Sequence, residues 1–417
     1  MASDSCGVDF GTSNSTVGWS RPGQPALLPL EDGKVTLPSV VFFHAEDLEA
    51  TYGRAALADY LGGHEGRLMR SLKSLLGTSM MDEYTELMGQ AIPFRRLLEQ
   101  FIGQLKLRAE QAAGRAFHRA VMGRPVFFVD DSPAADRRAE DTLREIAMAV
   151  GFKDVAFQFE PIAAAFDYES QISREELVLV VDIGGGTSDF SLVRLSPARA
   201  LKADRREDIL ASGGVHIGGT DFDKYLSLSS VMPLLGMGSA LVSGRQMPSA
   251  QYFNLATWHT INFAYTRKAW PEIQDMHRQA AEKDKLERLM NLVRQRSGHW
   301  LALQVEAAKI ALSETDTTQM DLGRIQPGQS FTLSRDTFDA AIGHLVSDIE
   351  HTVNQLMRTA GVPAAGIDTV FFTGGSSSVP LLRQRVAALL PEARHVEGDL
   401  FGSIGAGLAL DATRKFG

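Results

Sequence analysis

The sequence predicts a duplicated α/β fold, two lobes of related design facing each other across a cleft, and three observations predict it. A strand ending in Asp, a Gly/Thr turn and a returning strand occur twice, at Asp9 and at Asp182. After each hairpin a later strand runs into a helix, at 126–134 and again at 370–381. The chain's 417 residues also exceed what one hydrophobic core organises and suit two or three domains. Self-similarity at domain scale points to a doubled domain rather than a solenoid. Two related lobes make a cleft, which is where ligands sit.

The elements read as follows. Cys6-Gly-Val-Asp-Phe10 is a short strand, followed by a polar turn and by Thr16-Val-Gly-Trp19, which together make a hairpin. Residues 35–43 read as extended, and 92–115 as an amphipathic helix with Leu97, Leu98, Phe101, Ile102 and Leu105 at helical spacing. Pro125-Val-Phe-Phe-Val129 has the composition of a buried strand. Asp130-Asp-Ser132 before Pro133 signals a helix start, and Ala134–Val150 is a helix that Gly151 closes. The unbroken apolar run Leu177–Val181 predicts a central strand ending at Asp182, returning through Phe190–Leu195. Val370-Phe-Phe372 with helix 381–390 repeats the strand-to-helix step, and 250–313 reads as helical and rich in charge. Leu400–Leu410 reads as a last helix returning to the first lobe. The expected lobes are 1–172 with 397–417, carrying an outer subdomain at about 35–115, and 173–396, with an outer helical subdomain at about 216–315.

Composition narrows the class. An apolar fraction of 44% and a charged fraction of 22% are those of a soluble globular protein, and a net charge of -9 argues against a nucleic-acid partner. Cys6 is the single cysteine, so an intrachain disulfide and a thiolate metal cluster are both excluded. Met1–Ser5 lacks the basic, apolar character of a secretory signal, and the most apolar runs are strand-length, too short to span a bilayer. A cytoplasmic location, with no membrane partner, is the default expectation.

The two turns share a chemistry. A polyphosphate needs many N–H donors held close with no side chain in the way, and glycine turns supply them. The first turn offers Gly11, Thr12, Ser13 and Asn14, and the second Gly184, Gly185, Gly186 and Thr187. Opposed across a cleft they would grip a phosphate chain from both sides, with Asp9 and Asp182 facing Mg²⁺ directly or through its water. One such hairpin alone is weak, since any Gly/Ser/Thr turn after a strand looks similar. Two at equivalent places, with Gly374-Gly375 opening a helix, make a strong combined signal. Neither the dinucleotide glycine fingerprint nor the Gly-x-x-x-x-Gly-Lys pattern is present.

Five segments resemble the nucleotide-binding domain of the heat shock protein 70 (DnaK-like) family, in family order: Val8–Ser15, Glu160–Tyr168, Val181–Asp189, Gly213–Asp223 and Thr373–Ser376 with Val379-Pro380. The chain's length and Gly123-Arg-Pro-Val126 resemble the short YegD-like branch in particular. The resemblance implies an actin-like (ribonuclease H-like) ATPase fold, with ATP/ADP and Mg²⁺ as ligands. Leu72–Gly77 resembles the segment that carries the family's catalytic lysine, so Lys73 would reach the γ-phosphate and the attacking water. Read alone, Lys73 is an ordinary solvated lysine. Glu160 would position water near Mg²⁺, or else serve as a helix N-terminal carboxylate. Asp182 and Thr187 would orient or deprotonate the attacking water. The resemblance adds Asp189, Gly218, Gly219, Thr220, Ser376 and Asp399 to the nucleotide contacts. Glu306–Ser313 resembles the adenosine helix, with Glu306, Lys309 and Ser313 on one face; the alternative is an exposed Glu–Lys pair.

Departures from the family pattern matter as much. The two arginines that sandwich adenine are replaced by Ile310 and Ser378, and a loop Glu by Thr220. Each lost Arg stack is worth about 0.5–2 kcal/mol, so nucleotide affinity is expected to fall roughly ten- to a hundred-fold. The family's linker, peptide-binding sandwich and lid are not expected, since the chain ends at Gly417, so a client or co-chaperone would bind the lobes themselves. Trp258, Tyr265, Trp270 and Trp300, interleaved with Arg and Lys, read either as a docking surface or as an outer subdomain with solvated charges. The expected function is a weak ATPase related to chaperones; the alternative is a nucleotide-gated scaffold with negligible turnover. A sugar or small-acid kinase would need a base for which no candidate is evident, and nothing specifies a filament contact.

Overall fold

Strand Ser5–Asp9 pairs antiparallel with Asn14–Gly18, setting Val8 opposite Val17 and Asp9 opposite Thr16. Strand Glu176–Ile183 pairs antiparallel with Ser188–Leu195, setting Val181 opposite Phe190 and Asp182 opposite Asp189. These hairpins, which the sequence predicts, sit at the same place in two five-stranded sheets within a computed structural model describing residues 4–46, 49–87, 90–129, 132–202, 204–399 and 402–417.

The first sheet runs Asp154–Phe159, Arg119–Arg124, Ser5–Asp9, Asn14–Gly18, Thr36–Pro38. The second runs Arg394–Glu397, Thr369–Thr373, Glu176–Ile183, Ser188–Leu195, Ile209–Val215. Each therefore has two parallel strands on one side of its hairpin and one antiparallel strand on the other. Helices keep the same order along the chain: Phe94–Ala113, Pro133–Ala149 and Glu160–Glu169 in the first half, Arg335–Ala360, Pro380–Leu389 and Ser403–Phe416 in the second. The duplication is thus topological, and the fold is of the two-lobed actin-like ATPase class.

Two compact units divide the chain: 1–215 with 351–377 and 387–417, and 216–350 with 378–386. Both five-stranded sheets belong to the first unit. Its apolar residues include Val178 to Val181, all fully buried as a central strand requires. Helix Phe94–Ala113 buries the expected stripe Leu97, Leu98, Phe101, Ile102 and Leu105, and Gly114 ends it at φ +65°. The second unit is mostly helical, with Gly219–Leu226, Ala250–Ala256, Ala269–Gln279, Lys283–Arg294, Gly298–Glu314 and a hairpin of Thr317–Asp321 and Ser330–Ser334. No helix of the described residues is long and apolar enough to cross a membrane.

Three sequence expectations change. Pro125–Val129 is not a strand: the ladder ends at Arg124, because Pro125 has no N–H to donate. Its Phe128 packs on Arg124 instead, whose guanidinium lies 5.2 Å from that ring and 5.3 Å from the ring of Phe159, at the end of the neighbouring strand, and pairs with Asp136 and Glu140. The extended segment 35–43 breaks at Ser39 into strand Thr36–Pro38 of the first sheet and strand Val40–His44 of a small separate sheet. The last helix runs Ser403–Phe416, past the expected Leu410. Residues 1–3, Asp130, Asp131, Leu400 and Phe401, on which some expectations fall, lie outside the described residues.

Small residues join the two halves of the first unit. Helix Ser403–Phe416 lies so near helix Glu160–Glu169 that a Cβ on Gly407 would sit 1.8 Å from the Ala163 carbonyl oxygen. A Cβ on Gly405 would sit 2.1 Å from Thr16 Oγ1, on the first hairpin. Backbone cannot swing aside as a side chain does, so Gly407→Ala must part the helices. It is expected to cost about 3 kcal/mol, the upper end for overpacking. Urea unfolding measures this, and a wild-type midpoint would rule out the close helix pair.

Candidate functional site

The first turn is tight for a stated reason: a Cβ on Gly11 would fall 2.1 Å from the Asn14 carbonyl oxygen. Ser39, which sequence reasoning missed, ties it back. Its N–H donates to Ser13 O (2.8 Å), its hydroxyl donates to Gly11 O (2.7 Å), and Ser15 Oγ lies 2.9 Å from it. The only sequence signal was its place after Pro38, at the break in an extended run. In the second turn Gly184 N–H donates to Thr187 O (3.0 Å), and Thr187 Oγ1 donates to Asp189 Oδ2 (2.9 Å).

The two turns meet. A Cβ on Gly185 would lie 1.9 Å from Ser13 Oγ, and one on Gly186 would lie 4.0 Å from the Thr12 methyl. Gly374 stands behind them at φ +79°, where a Cβ would fall 2.5 Å from both Asp182 Oδ1 and Ile183 O. All of Gly11 to Asn14 and Gly184 to Thr187 are half-buried.

Charge gathers at the strand ends. Lys73 Nζ donates to Glu160 Oε1 at 2.6 Å, with both side chains about nine-tenths covered. Lys73 stands on the short 3-10 turn Leu72–Leu75, behind which Gly77 (φ +81°) packs so closely that a Cβ would meet Val129 at 2.5 Å. Glu160 opens helix Glu160–Glu169 directly after its strand. Burial pushes Asp9 up to about 7, with the Glu160 charge adding and Lys73 opposing. Burial also holds Asp182 well above the usual carboxylate range, aided by Asp189, Glu160 and Asp9. For Lys73 burial opposes the charge, but Glu160 and Asp9 outweigh it and raise the ammonium's pKa. Asp9, Lys73, Glu160, Asp182 and Asp189 thus share one electrostatic neighbourhood.

Such a set, rich in hard carboxylate oxygens and short of positive charge, suits a hard cation. Among the described residues no three His, Cys, Asp or Glu side chains form a cage of their own. The arrangement therefore fits Mg²⁺, which keeps its water and takes phosphate oxygens along with one or two carboxylates.

The remaining predicted residues are placed as follows. Ser376 is buried in the short turn Gly375–Ser378. Asp399 is exposed, and its carbonyl accepts the Ser403 N–H (3.1 Å) and hydroxyl (2.6 Å) at the start of the last helix. In the second unit Gly218 precedes helix Gly219–Leu226, with Thr220 exposed on its first turn. Lys309 is buried, donating to Gly219 O (3.1 Å) and pairing with Asp223 (2.9 Å), so it fastens two helices of that unit together. Ser313 Oγ donates to Lys309 O (3.2 Å), Glu306 is half-buried, and Ile310 is 57% exposed.

Comparison with known proteins decides the family. The Hsp70 protein family model matches residues 5–100, 83–229 and 277–411. The chain belongs to the Hsp70 family. Similar Hsp70 relatives include the chaperone protein HscA homolog of Shewanella amazonensis, 26% identical over 97% of this chain and 58% of its own length. The chaperone protein HscA of Klebsiella pneumoniae is 27% identical over 97% and 57% respectively. The chaperone protein DnaK of Ureaplasma urealyticum is 27% identical over 92% and 54%. The chain spans a little over half the length of these curated relatives. Both hairpins, Lys73 and Glu160 fall within the Hsp70-matched segments, whereas residues 230–276 lie between them.

Proposed function

We propose that the chain binds ATP and ADP with Mg²⁺ and hydrolyses ATP slowly, as the chaperone-like nucleotide switch of an Hsp70 protein. The observation that carries this reading is the meeting of the two glycine turns, with Ser13 against Gly185, beside the buried Lys73–Glu160 pair. On this reading the phosphates lie between Gly11–Asn14 and Gly184–Thr187, both in the first unit. Within the first unit, Gly374 to Ser376 and Asp399 add further contacts to the nucleotide.

Mg²⁺, when bound, neutralises charge on the phosphate oxygens, and Asp9 and Asp182 hold its water shell. Lys73 offers its ammonium to the γ-phosphate and the attacking water, with Glu160 fixing its position. Asp182 and Thr187 orient the water, with Asp189 holding the Thr187 hydroxyl. Rate enhancement comes from positioning and charge neutralisation, as phosphoryl transfer requires. With Ile310 and Ser378 where arginines would stack, adenine contributes less than in other Hsp70 proteins.

Calorimetric titration tests the reading. Heat is expected with Mg-ATP and Mg-ADP at submillimolar affinity, and a margin over Mg-GTP narrower than stacking arginines would provide. No heat from any of the three at millimolar concentration would overturn it.

A further inference from the structure

In the second unit, the 3-10 helix Trp258–Tyr265, helix Ala269–Gln279 and the end of helix Lys283–Arg294 surround a cavity of about 180 Å³. It is lined by Ala264, Tyr265, Trp270, Val293, Arg294 and Arg296. Ala264 and Val293 are buried and give it an apolar floor. Tyr265 is held by the Gly298 N–H, which donates to its hydroxyl at 2.7 Å. The rim is basic. Arg294 lies over the Trp270 ring at 5.7 Å, and Arg324 over the Trp300 ring at 5.9 Å. Burial pushes the Tyr265 hydroxyl's pKa up, and Arg296 and Arg324 lie near enough to oppose that shift by favouring its ionised form. Arg267 and Lys268 follow Tyr265, both exposed. Among the described residues Arg294, Arg296 and Arg324 form no ion pair with a carboxylate; Arg294 donates only to the Asn291 amide oxygen, at 3.3 Å.

Two further features mark the place. Arg296 sits at φ +50°, the left-handed region where a helix end ordinarily carries Gly or Asn. A long cationic side chain there strains the backbone without an ion pair in return. In addition, a chain of net charge -9 concentrates unpaired positive charge around one apolar hole. A carboxylate arriving there finds guanidinium forks in a partly desolvated setting, where charge-assisted hydrogen bonds are strongest.

We propose that this cavity and its rim bind an acidic peptide segment of a partner protein, an aromatic or aliphatic side chain filling the hole and flanking carboxylates meeting Arg294, Arg296 and Arg324. Arg267 and Lys268, exposed and just after the lining residue Tyr265 in the chain, continue the positive charge outside the lining itself, which favours a segment over one small anion. Nucleic acid fits less well, since Arg294 and Arg324 each cover a tryptophan face that a base would stack on, and the net charge repels a polyanion.

Fluorescence anisotropy with the full chain and a labelled peptide of three Glu-Glu-Phe repeats tests this. Saturable binding is expected, weakening as salt rises, with the Gln-Gln-Phe peptide at least about tenfold weaker. Arg294→Glu with Arg296→Glu should lose at least about tenfold. Arg296→Gly should also weaken binding while keeping or raising the unfolding midpoint, because glycine relaxes the left-handed backbone. The proposal is overturned by absent binding, by equal affinity for the glutamine peptide, by an Arg296→Gly protein that binds as wild type, or by tighter binding of an oligothymidylate of equal charge.

Discussion

Lys73→Ala lowers ATP turnover by about 100- to 1,000-fold while nucleotide affinity stays within about tenfold of wild type, the range seen when one preorganised transition-state donor is removed. The asymmetry follows from where the charge sits. Lys73 faces Asp9, Glu160, Asp182 and Asp189, and its pair with Glu160 holds the ammonium in one position. On the proposed reading the turn backbone and Mg²⁺ would bear the ground-state phosphates, so losing Lys73 should take little from binding. On that reading it would remove positive charge where negative charge develops on the γ-phosphate and leave the attacking water without a donor. Lys73→Arg is not expected to rescue, because a planar fork cannot replace a compact ammonium in so enclosed a place. Glu160→Gln should fall between, since it frees the ammonium without deleting it. Single-turnover phosphate release alongside calorimetry separates the two effects. Turnover unchanged in Lys73→Ala, with binding intact, would favour a nucleotide-gated module whose cleavage chemistry, if any, lies elsewhere.

Both hairpins were legible in the sequence because their signal is local: an apolar strand, a glycine-rich turn, a returning strand. The short unbroken run Leu177–Val181, rich in Val and followed by Asp182 and the glycines 184–186, reads as a central strand, and it is fully buried from Val178 on. The stripe from Leu97 to Leu105 announced its helix for the same reason. Misreading came where composition and hydrogen bonding disagree. Val126-Phe-Phe128 has strand composition, yet Pro125 breaks the ladder, while the true strand Arg119–Arg124 is mixed in character and ends in an arginine that two phenylalanine rings enclose. Long-range pairing was not legible at all. No spacing rule connects Lys73 with Glu160, and only the family resemblance suggested that they share a task. Ser39 escaped notice because its contribution is two bonds to carbonyls of another strand's turn, which leave no trace in residue type.

Gly374→Ala damages fold and site together, and the two losses can be told apart. At φ +79° an L-residue costs about 1–2 kcal/mol on backbone grounds alone. Its Cβ would also fall 2.5 Å from Ile183 O, a backbone atom at the end of strand Glu176–Ile183 that no rotamer change can move. Overpacking of that kind adds about 1–3 kcal/mol, so the expected loss of stability is about 2–5 kcal/mol. The remaining contact is Asp182 Oδ1, also 2.5 Å away, which must turn from its present place. Mg-ATP affinity should therefore fall at least about tenfold, equivalent to 1.4 kcal/mol, when measured well below the variant's unfolding midpoint. Gly343→Ala is the control: inside helix Arg335–Ala360 its Cβ meets nothing within 4 Å, and it should stabilise by about 0.5–1 kcal/mol without touching binding. If Gly374→Ala is destabilised but binds Mg-ATP as tightly as wild type, Asp182 does not face the nucleotide. If it loses neither stability nor affinity, the packing of Gly374 against the second phosphate turn is wrong, and the proposed clamp loses one of its walls.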